Sequence, residues 1–328
     1  MAVFVLGLCA TGLVAYDAWR FLSSPLAADP VELELTVERG DTVADIGRDL
    51  AQRGLLSRPL WWRLYARVTG VATKIRAGEF VLSAGMSPVE VLGSLQRNAP
   101  TRQYAFTILE GWSIWQLRAA LAADEVLLHE TQDVPEDQLM AFIGAEPGHP
   151  EGQFLPDTYH FPRGTTDKQF LLRAHKALQK TLDHHWQQRQ ENLPLKSAYE
   201  ALTLASIIEK ETGIASEREM IAGVMVSRLR KKMRLQTDPT VIYGIGPDFN
   251  GDITRKDLKA DTPYNTYRIP ALPPTPIAMS GREAIAAAVN PASTSALFFV
   301  ADGTGGHVFS ETVEQHNAAV RKYILKRQ

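Results

Sequence analysis

Ala198-Tyr199-Glu200-Ala201-Leu202-Thr203-Leu204-Ala205-Ser206-Ile207-Ile208-Glu209-Lys210-Glu211-Thr212 reads as one helix, with Gly213 placed to end it in a left-handed cap. Ala201, Leu204, Ile207 and Ile208 cluster at helical spacing. Glu211 follows Ile208 by three residues, Ile207 by four and Leu204 by seven, so it shares their inward face. Glu209 is expected to point away from that face, toward solvent and beside Lys210. An inward carboxyl loses hydration when it ionises, so its pKa rises and it keeps a proton near neutral pH, as a general acid must. The plain alternative is an inward glutamate paired with a buried arginine, and spacing alone leaves both readings open.

Downstream, Ser216 and Glu219 have capping-box spacing, and Ile221, Val224, Met225 and Leu229 make one face of a packing helix. Its end is basic: Arg228, Arg230, Lys231, Lys232 and Arg234 read as a solvated last turn that complements the helix dipole. Then come three segments read as loops: 235–244 (LQTDPTVIYG), 263–267 (PYNTY) and 272–278 (LPPTPIA). Their amides, hydroxyls and tyrosines suit a carbohydrate, whose hydroxyls take neutral donors and acceptors and whose ring faces take aromatic planes. The chain closes with a strand over 297–301, a glycine turn over 302–306, a strand over 307–310 and an amphipathic helix. The glycine turn lacks the Lys-Ser/Thr ending of a phosphate loop and reads as a hairpin.

Upstream, a strand over 103–109 opens the larger domain and leads into Glu110-Gly111-Trp112-Ser113. An acidic helical region up to Pro150 follows, then Glu151-Gly152-Gln153-Phe154-Leu155-Pro156-Asp157-Thr158-Tyr159, a loop with neither helical nor strand period. Earlier still, residues 31–37 alternate as a half-buried strand, and Arg39-Gly40-Asp41 turns. Thr42 caps a helix carrying Val43, Ile46 and Leu50. A second helix fits 59–68 with Trp61, Trp62, Leu64 and Tyr65 in its core; a strand over 79–82 and a helix from Ser87-Pro88 through Leu95 complete a small α+β module.

Ahead of that module lie a linker, 23–30, and a first stretch of 15 residues without a charge, whose apolar character resumes past Asp17 and Arg20. That is nearly one membrane span, and Leu26-Ala27-Ala28 is a poor cleavage site, so an uncleaved anchor is expected. No Lys or Arg precedes the span for the positive-inside rule to read, and a few basic residues ahead of Met1 are expected.

With 328 residues, 45% hydrophobic and 22% charged, the chain is globular in composition and long enough for about two domains. A net charge of −2 gives no basic face for nucleic acid. The single cysteine, Cys9, excludes an intrachain disulfide or a cysteine metal site and is expected as a buried apolar residue. The eight histidines show no ligand spacing.

Several phrases together resemble the endolytic murein transglycosylase family, the MltG or YceG-like proteins. They are Glu110-Gly111-Trp112, the 151–159 segment, 205–212 (ASIIEKET), 235–244, Tyr264-Asn265-Thr266-Tyr267 and 299–309 (FVADGTGGHVF). Val37-Glu38-Arg39-Gly40-Asp41-Thr42, with Ile46 and Leu50, resembles the opening of a LysM-type glycan-binding module. Small departures are Gly213-Ile214 after the acidic motif and Ser227 before Arg228, where the family often has Asn.

The resemblance implies an α+β protein with a transmembrane anchor (1–22), a linker (23–30), a LysM-like subdomain (31–100) and a larger mixed α/β catalytic domain (101–328). It implies single-pass insertion in the inner membrane, with the catalytic domain in the periplasm. The activity implied is cleavage of the MurNAc–GlcNAc bond within nascent peptidoglycan strands, leaving 1,6-anhydro-MurNAc ends and terminating elongation. No cofactor and no metal are implied, and peptidoglycan synthases are the implied protein partners. The family's catalytic glutamate falls on Glu211. Glu151, Asp157, Gln236, Tyr243, Asn265 and Tyr267 are candidate substrate contacts by residue type and motif position. Two other classes compete. A pyridoxal-phosphate lyase using Lys210 lacks a glycine-rich phosphate cup, whereas a non-catalytic peptidoglycan-binding scaffold could use every loop motif without cutting.

Overall fold

The computed structural model describes residues 2–26, 33–38, 40–83, 85–97 and 102–325, with residues 2–8, 10, 33 and 97 described by backbone only. Residues 27–30 of the expected linker, Val31 and Glu32 of the first strand, and Arg39 of its turn lie outside them. The chain divides into two compact units, one of residues 1–106, 126–128 and 159–165, the other of 107–125, 129–158 and 166–328.

The first unit begins with α1 (Ala2–Ser23), a continuous helix of 22 residues. Among the described residues no helix is long and apolar enough to cross a membrane. On α1, Leu13, Val14, Tyr16 and Trp19 are all exposed. Cys9 is exposed with them, not buried as expected. Asp17, the acid of this helix, is neutralised by Arg58 and accepts the Trp61 indole N–H at 3.0 Å.

Then follow β1 (Leu33–Val37), α2 (Val43–Gln52), α3 (Pro59–Val68), β2 (Gly78–Leu82) and α4 (Pro88–Arg97). β1 and β2 pair antiparallel, with Leu35 opposite Phe80 and Val37 opposite Gly78, so the alternating Leu35, Val37, Phe80 and Leu82 all face one core. Thr42 and Asp45 close a capping box ahead of α2. Trp62 is fully buried and donates its indole N–H to the Val43 carbonyl at 2.9 Å. Leu64, expected in this core, is 47% exposed. The inward row of α3 is Trp62 and Ala66, one turn apart, which puts Leu64 on the opposite side.

β3 (Tyr104–Ile108) and β4 (Asp157–Phe161) form a two-stranded sheet. β4 corrects the reading of 151–159 as a loop: its last three residues, 157–159, are strand, paired by tertiary contact that no local period announces.

The second unit is built from α5 (Ile114–Ala122), α6 (Leu139–Ile143), α7 (Asp167–Gln187), α8 (Ala198–Glu211), α9 (Arg218–Arg230), α10 (Asp238–Ile245), α11 (Arg255–Lys259), α12 (Arg282–Val289) and α13 (Val313–Tyr323), with a β5 (Phe298–Ala301) and β6 (His307–Ser310) hairpin. Helices dominate it. α8 is its axis: α7, α9 and α12 pack around it, and every residue from Ala201 to Ile208 is buried. Two polar positions on that axis are accommodated by bonding back to the helix, Thr203 to the Tyr199 carbonyl at 2.9 Å and Ser206 to the Thr203 carbonyl at 2.8 Å.

Three local expectations fail in this unit. Thr212 caps α8 in extended backbone (φ −146°), so Gly213 is not needed as a left-handed cap. The Ser216–Glu219 box is not made, because a 3₁₀ turn, Ala215–Glu217, leads straight into α9 with no side-chain cap. Most of the 235–244 segment, read as loop, belongs to α10, whose Pro239 occupies the first turn, where its missing N–H costs nothing.

Candidate active site

Glu211 is the last residue of α8 and faces a cavity of about 570 Å³. The α9–α10 connection contributes Gln236, α10 contributes Asp238, and β5 contributes Phe298 and Phe299; Tyr267 and His307 complete the working surface. Burial, with the Asp238 charge adding to it, pushes the Glu211 carboxyl up to about 7. No cation offsets that cost among the described residues.

Glu209 is not on the solvated side: its side chain is 5% exposed. The α8 axis is covered all round, so facing away from one neighbour means facing another. Glu209 accepts the Gly281 N–H at 2.8 Å and has the Arg218 guanidinium 3.8 Å away. The two glutamates therefore differ in partners rather than in burial: Glu209 is tied into structure, and Glu211 is left with a cavity and a negative neighbour.

Glu151 is the second carboxyl pushed up to about 7, by burial, against the opposing effect of its donors. It is completely buried and accepts the Ile114 N–H at 2.9 Å and the Gly152 N–H at 3.0 Å, with the Tyr243 hydroxyl as a further donor. Those bonds fix the start of α5 to the 151–156 loop and leave the carboxylate no open face. Glu211, on a cavity wall, does have one.

The remaining sequence candidates separate. Gln236 and Tyr267 line the Glu211 cavity. Gln236 holds a left-handed φ of 55°, uncommon for a residue with a side chain, and donates its N–H to the Thr266 carbonyl at 3.2 Å. Tyr267 donates its hydroxyl to Asp238 at 2.7 Å, and burial, with that bond and charge adding to it, raises the phenol's pKa. Asn265 is 1% exposed and does not reach the cavity: its amide caps α11 through the Asp257, Leu258 and Ala260 carbonyls, and its Oδ1 accepts the Tyr267 N–H at 3.0 Å. Asp157 is exposed and pairs with Arg282 at 3.2 Å. Tyr243 lines a separate cavity of about 430 Å³ with Trp115, Phe249 and Lys210, its ring stacked on Trp115 at 5.1 Å.

Asp238 and Arg228 are among the cavity residues that were not site candidates in the sequence. Arg228, assigned to a solvated helix end, is 8% exposed. Its guanidinium donates to the carbonyls of Leu297 (2.6 Å), Arg234 (3.1 Å) and Leu235 (2.7 Å), which ties the Gln236 connection to the start of β5, and it lies over the Phe298 ring at 5.0 Å. The signal available was its helical register with buried Val224 and Met225, four and three residues earlier.

The chain is similar to known proteins along most of its length. A model of the YceG-like family matches residues 35–322. An endolytic murein transglycosylase of Bacillus subtilis (strain 168) is 30% identical over 327 residues, covering 93% of this chain and 90% of that protein. An endolytic murein transglycosylase of Streptococcus pneumoniae serotype 2 is 26% identical and covers 98% of this chain, which spans 64% of the streptococcal protein's length. A crystallised yceG-like protein of Listeria monocytogenes is 29% identical and superposes with a TM-score of 0.53, over 88% of this chain and 98% of that one. With the family match running from β1 into α13 and a 30% identical relative along nearly its whole length, the chain belongs to the YceG-like family.

Proposed function

We propose that this protein is an endolytic lytic transglycosylase that cleaves the MurNAc–GlcNAc bond inside nascent peptidoglycan strands, leaves 1,6-anhydro-MurNAc ends and so terminates glycan elongation. The observation that carries the reading is Glu211: a carboxyl that keeps its proton to about pH 7 on the wall of a cavity lined by amide, phenol and aromatic side chains. It protonates the leaving glycosidic oxygen, and the MurNAc 6-hydroxyl gives up its proton to a base as O6 closes onto C1, without an attacking water. Gln236 and Tyr267 contact the glycan beside it. Tyr243 and Trp115 offer a further aromatic surface, Asp157 an exposed contact, and Glu151 and Asn265 support these loops from beneath. The endolytic murein transglycosylase names of the relatives support the substrate and the internal cut.

Incubation of the detergent-solubilised full chain with purified glycan strands is expected to shift their length distribution downward without a burst of disaccharides. A binding scaffold would retain strands of unchanged length. The rate is expected to fall on the alkaline side as Glu211 loses its proton near pH 7. Asp238→Asn, which keeps the Tyr267 hydrogen bond but removes the charge, shifts that alkaline limb to lower pH; an unmoved limb would mean that another group governs it.

α1 serves as a single-pass anchor in the inner membrane, with the remainder of the chain in the periplasm beside peptidoglycan synthases. The exposed Leu13, Val14, Tyr16 and Trp19 support this, as such a surface favours lipid over water. Protein extracted from membranes is expected to retain residues 1–22, and an N-terminus near Asp29 would refute the anchor. The β1-α2-α3-β2 order supports the LysM-like reading of the first unit.

A further inference from the structure

His307 lines this cavity and is held from behind by Glu217, a pair that a one-carboxyl reaction leaves idle. Glu217 closes the 3₁₀ turn ahead of α9, and its carboxylate grips the first residue of β6 twice: Oε1 accepts the His307 backbone N–H at 2.9 Å, and Oε2 lies 2.7 Å from Nδ1. Both side chains are largely covered, 13% exposed for His307 and 17% for Glu217. A carboxylate only accepts, so Nδ1 carries the proton and the neutral ring's lone pair is on Nε2. Nε2 has no protein partner among the described residues. The Phe299 ring, edge-on at 5.4 Å, limits rotation of the imidazole, and the Asp302 carboxylate braces the preceding turn through the Thr304 and Gly306 N–H groups. His307 and Glu211 line one and the same cavity.

We infer that His307 is the second proton-transfer residue of this site: its Nε2 takes the proton of the sugar hydroxyl that closes on the anomeric carbon, while Glu211 gives its own to the leaving oxygen. The inference rests on the transglycosylase reading above. In the step, the C1–O4 bond breaks with its electron pair going to O4, which receives the Glu211 proton. O6 forms the new bond to C1, and its proton goes to Nε2. The imidazolium then returns a proton to the Glu211 carboxylate through solvent, and both groups are reset. A carboxyl that begins protonated can accept a proton only after giving one up, whereas an imidazole whose Nδ1 proton is held by Glu217 offers its other nitrogen, Nε2, as a separate acceptor.

The test compares wild type, His307→Ala, His307→Gln and Glu217→Gln on the same purified strands, with glycan affinity and thermal unfolding measured for each. Wild type yields anhydro ends. His307→Ala is expected to lose about 10²-fold in kcat with KM little changed, and to release some reducing ends because water competes with the unactivated hydroxyl. Added imidazole restores part of its rate, and Glu217→Gln shows the same shift in end groups more weakly. If His307→Ala fails to fold, His307→Gln, which keeps a donor to Glu217, carries the same expectations apart from rescue. A folded, glycan-binding variant that keeps kcat within about threefold overturns the inference, as does one that makes anhydro ends alone and ignores imidazole. Absence of anhydro ends from wild type would instead sink the transglycosylase reading.

Discussion

Glu211→Gln is expected to lower the cleavage rate by about 10²- to 10⁴-fold while leaving glycan affinity close to wild type, because it removes a positioned proton donor and keeps the side chain's shape. Chromatographic counting of new strand ends checks it, and a loss under about tenfold would exclude Glu211 as the acid. The same substitution has a stability consequence of opposite sign. Burial raises the carboxyl from 4.5 to about 7, so its contribution to folding is fully present below about pH 4.5 and is lost as pH rises through about 7. At about 1.4 kcal/mol per pH unit, the loss approaches about 3 kcal/mol. The neutral glutamine escapes it. The variant is therefore expected to unfold at a higher temperature than wild type at pH 8 and at nearly the same temperature at pH 4.5. An inactive variant that is also more stable at alkaline pH marks a group kept for chemistry at the expense of the fold.

Gly152→Ala is expected to destabilise the second unit by about 2 to 5 kcal/mol, from a left-handed backbone combined with overpacking. Gly152 has φ +72°, and a Cβ there would lie 2.4 Å from Pro276 Cβ and 3.1 Å from the Ala278 carbonyl oxygen, neither of which can rotate aside. The displaced segment matters for the site. Glu151 Oε1 accepts the Gly152 N–H, and the Ile277 N–H is donated to Ser206 on α8 at 2.9 Å, so movement reaches both the buried carboxylate and the helix that ends in Glu211. Thermal unfolding checks it; an unchanged unfolding temperature would show that the 276–278 segment yields freely.

The placement of Glu211 was legible because helical spacing is a property of the chain itself: Leu204, Ile207 and Ile208 determine where Glu211 points. The contrast with Glu209 was not, because α12 covers the other side of α8 and hides its polar residues, which no one-face pattern conveys. Arg228 was assigned to solvent for a related reason. Its buried charge is satisfied by carbonyls from 234, 235 and 297, which are brought together only by the fold. α10 was hidden behind Asp238-Pro239 and a β-branched run that reads equally as a connector, although proline in a first turn is a helix-start signal. The hairpin, the α2 cap and the β1–β2 alternation were readable, since each depends on local chemistry. The sugar-suited loops divided: Gln236 and Tyr267 reach the cavity, while Asn265, equally polar, is used up in capping α11.

The central claim is that the bond is broken with an internal hydroxyl as nucleophile and Glu211 as acid. Wild-type digestion of glycan strands in oxygen-18 water, followed by mass spectrometry of the new ends, tests it most directly. Closure by the 6-hydroxyl predicts anhydro ends that carry no label. Reducing ends bearing oxygen-18 at C1 would mean that water attacks, and would contradict the account.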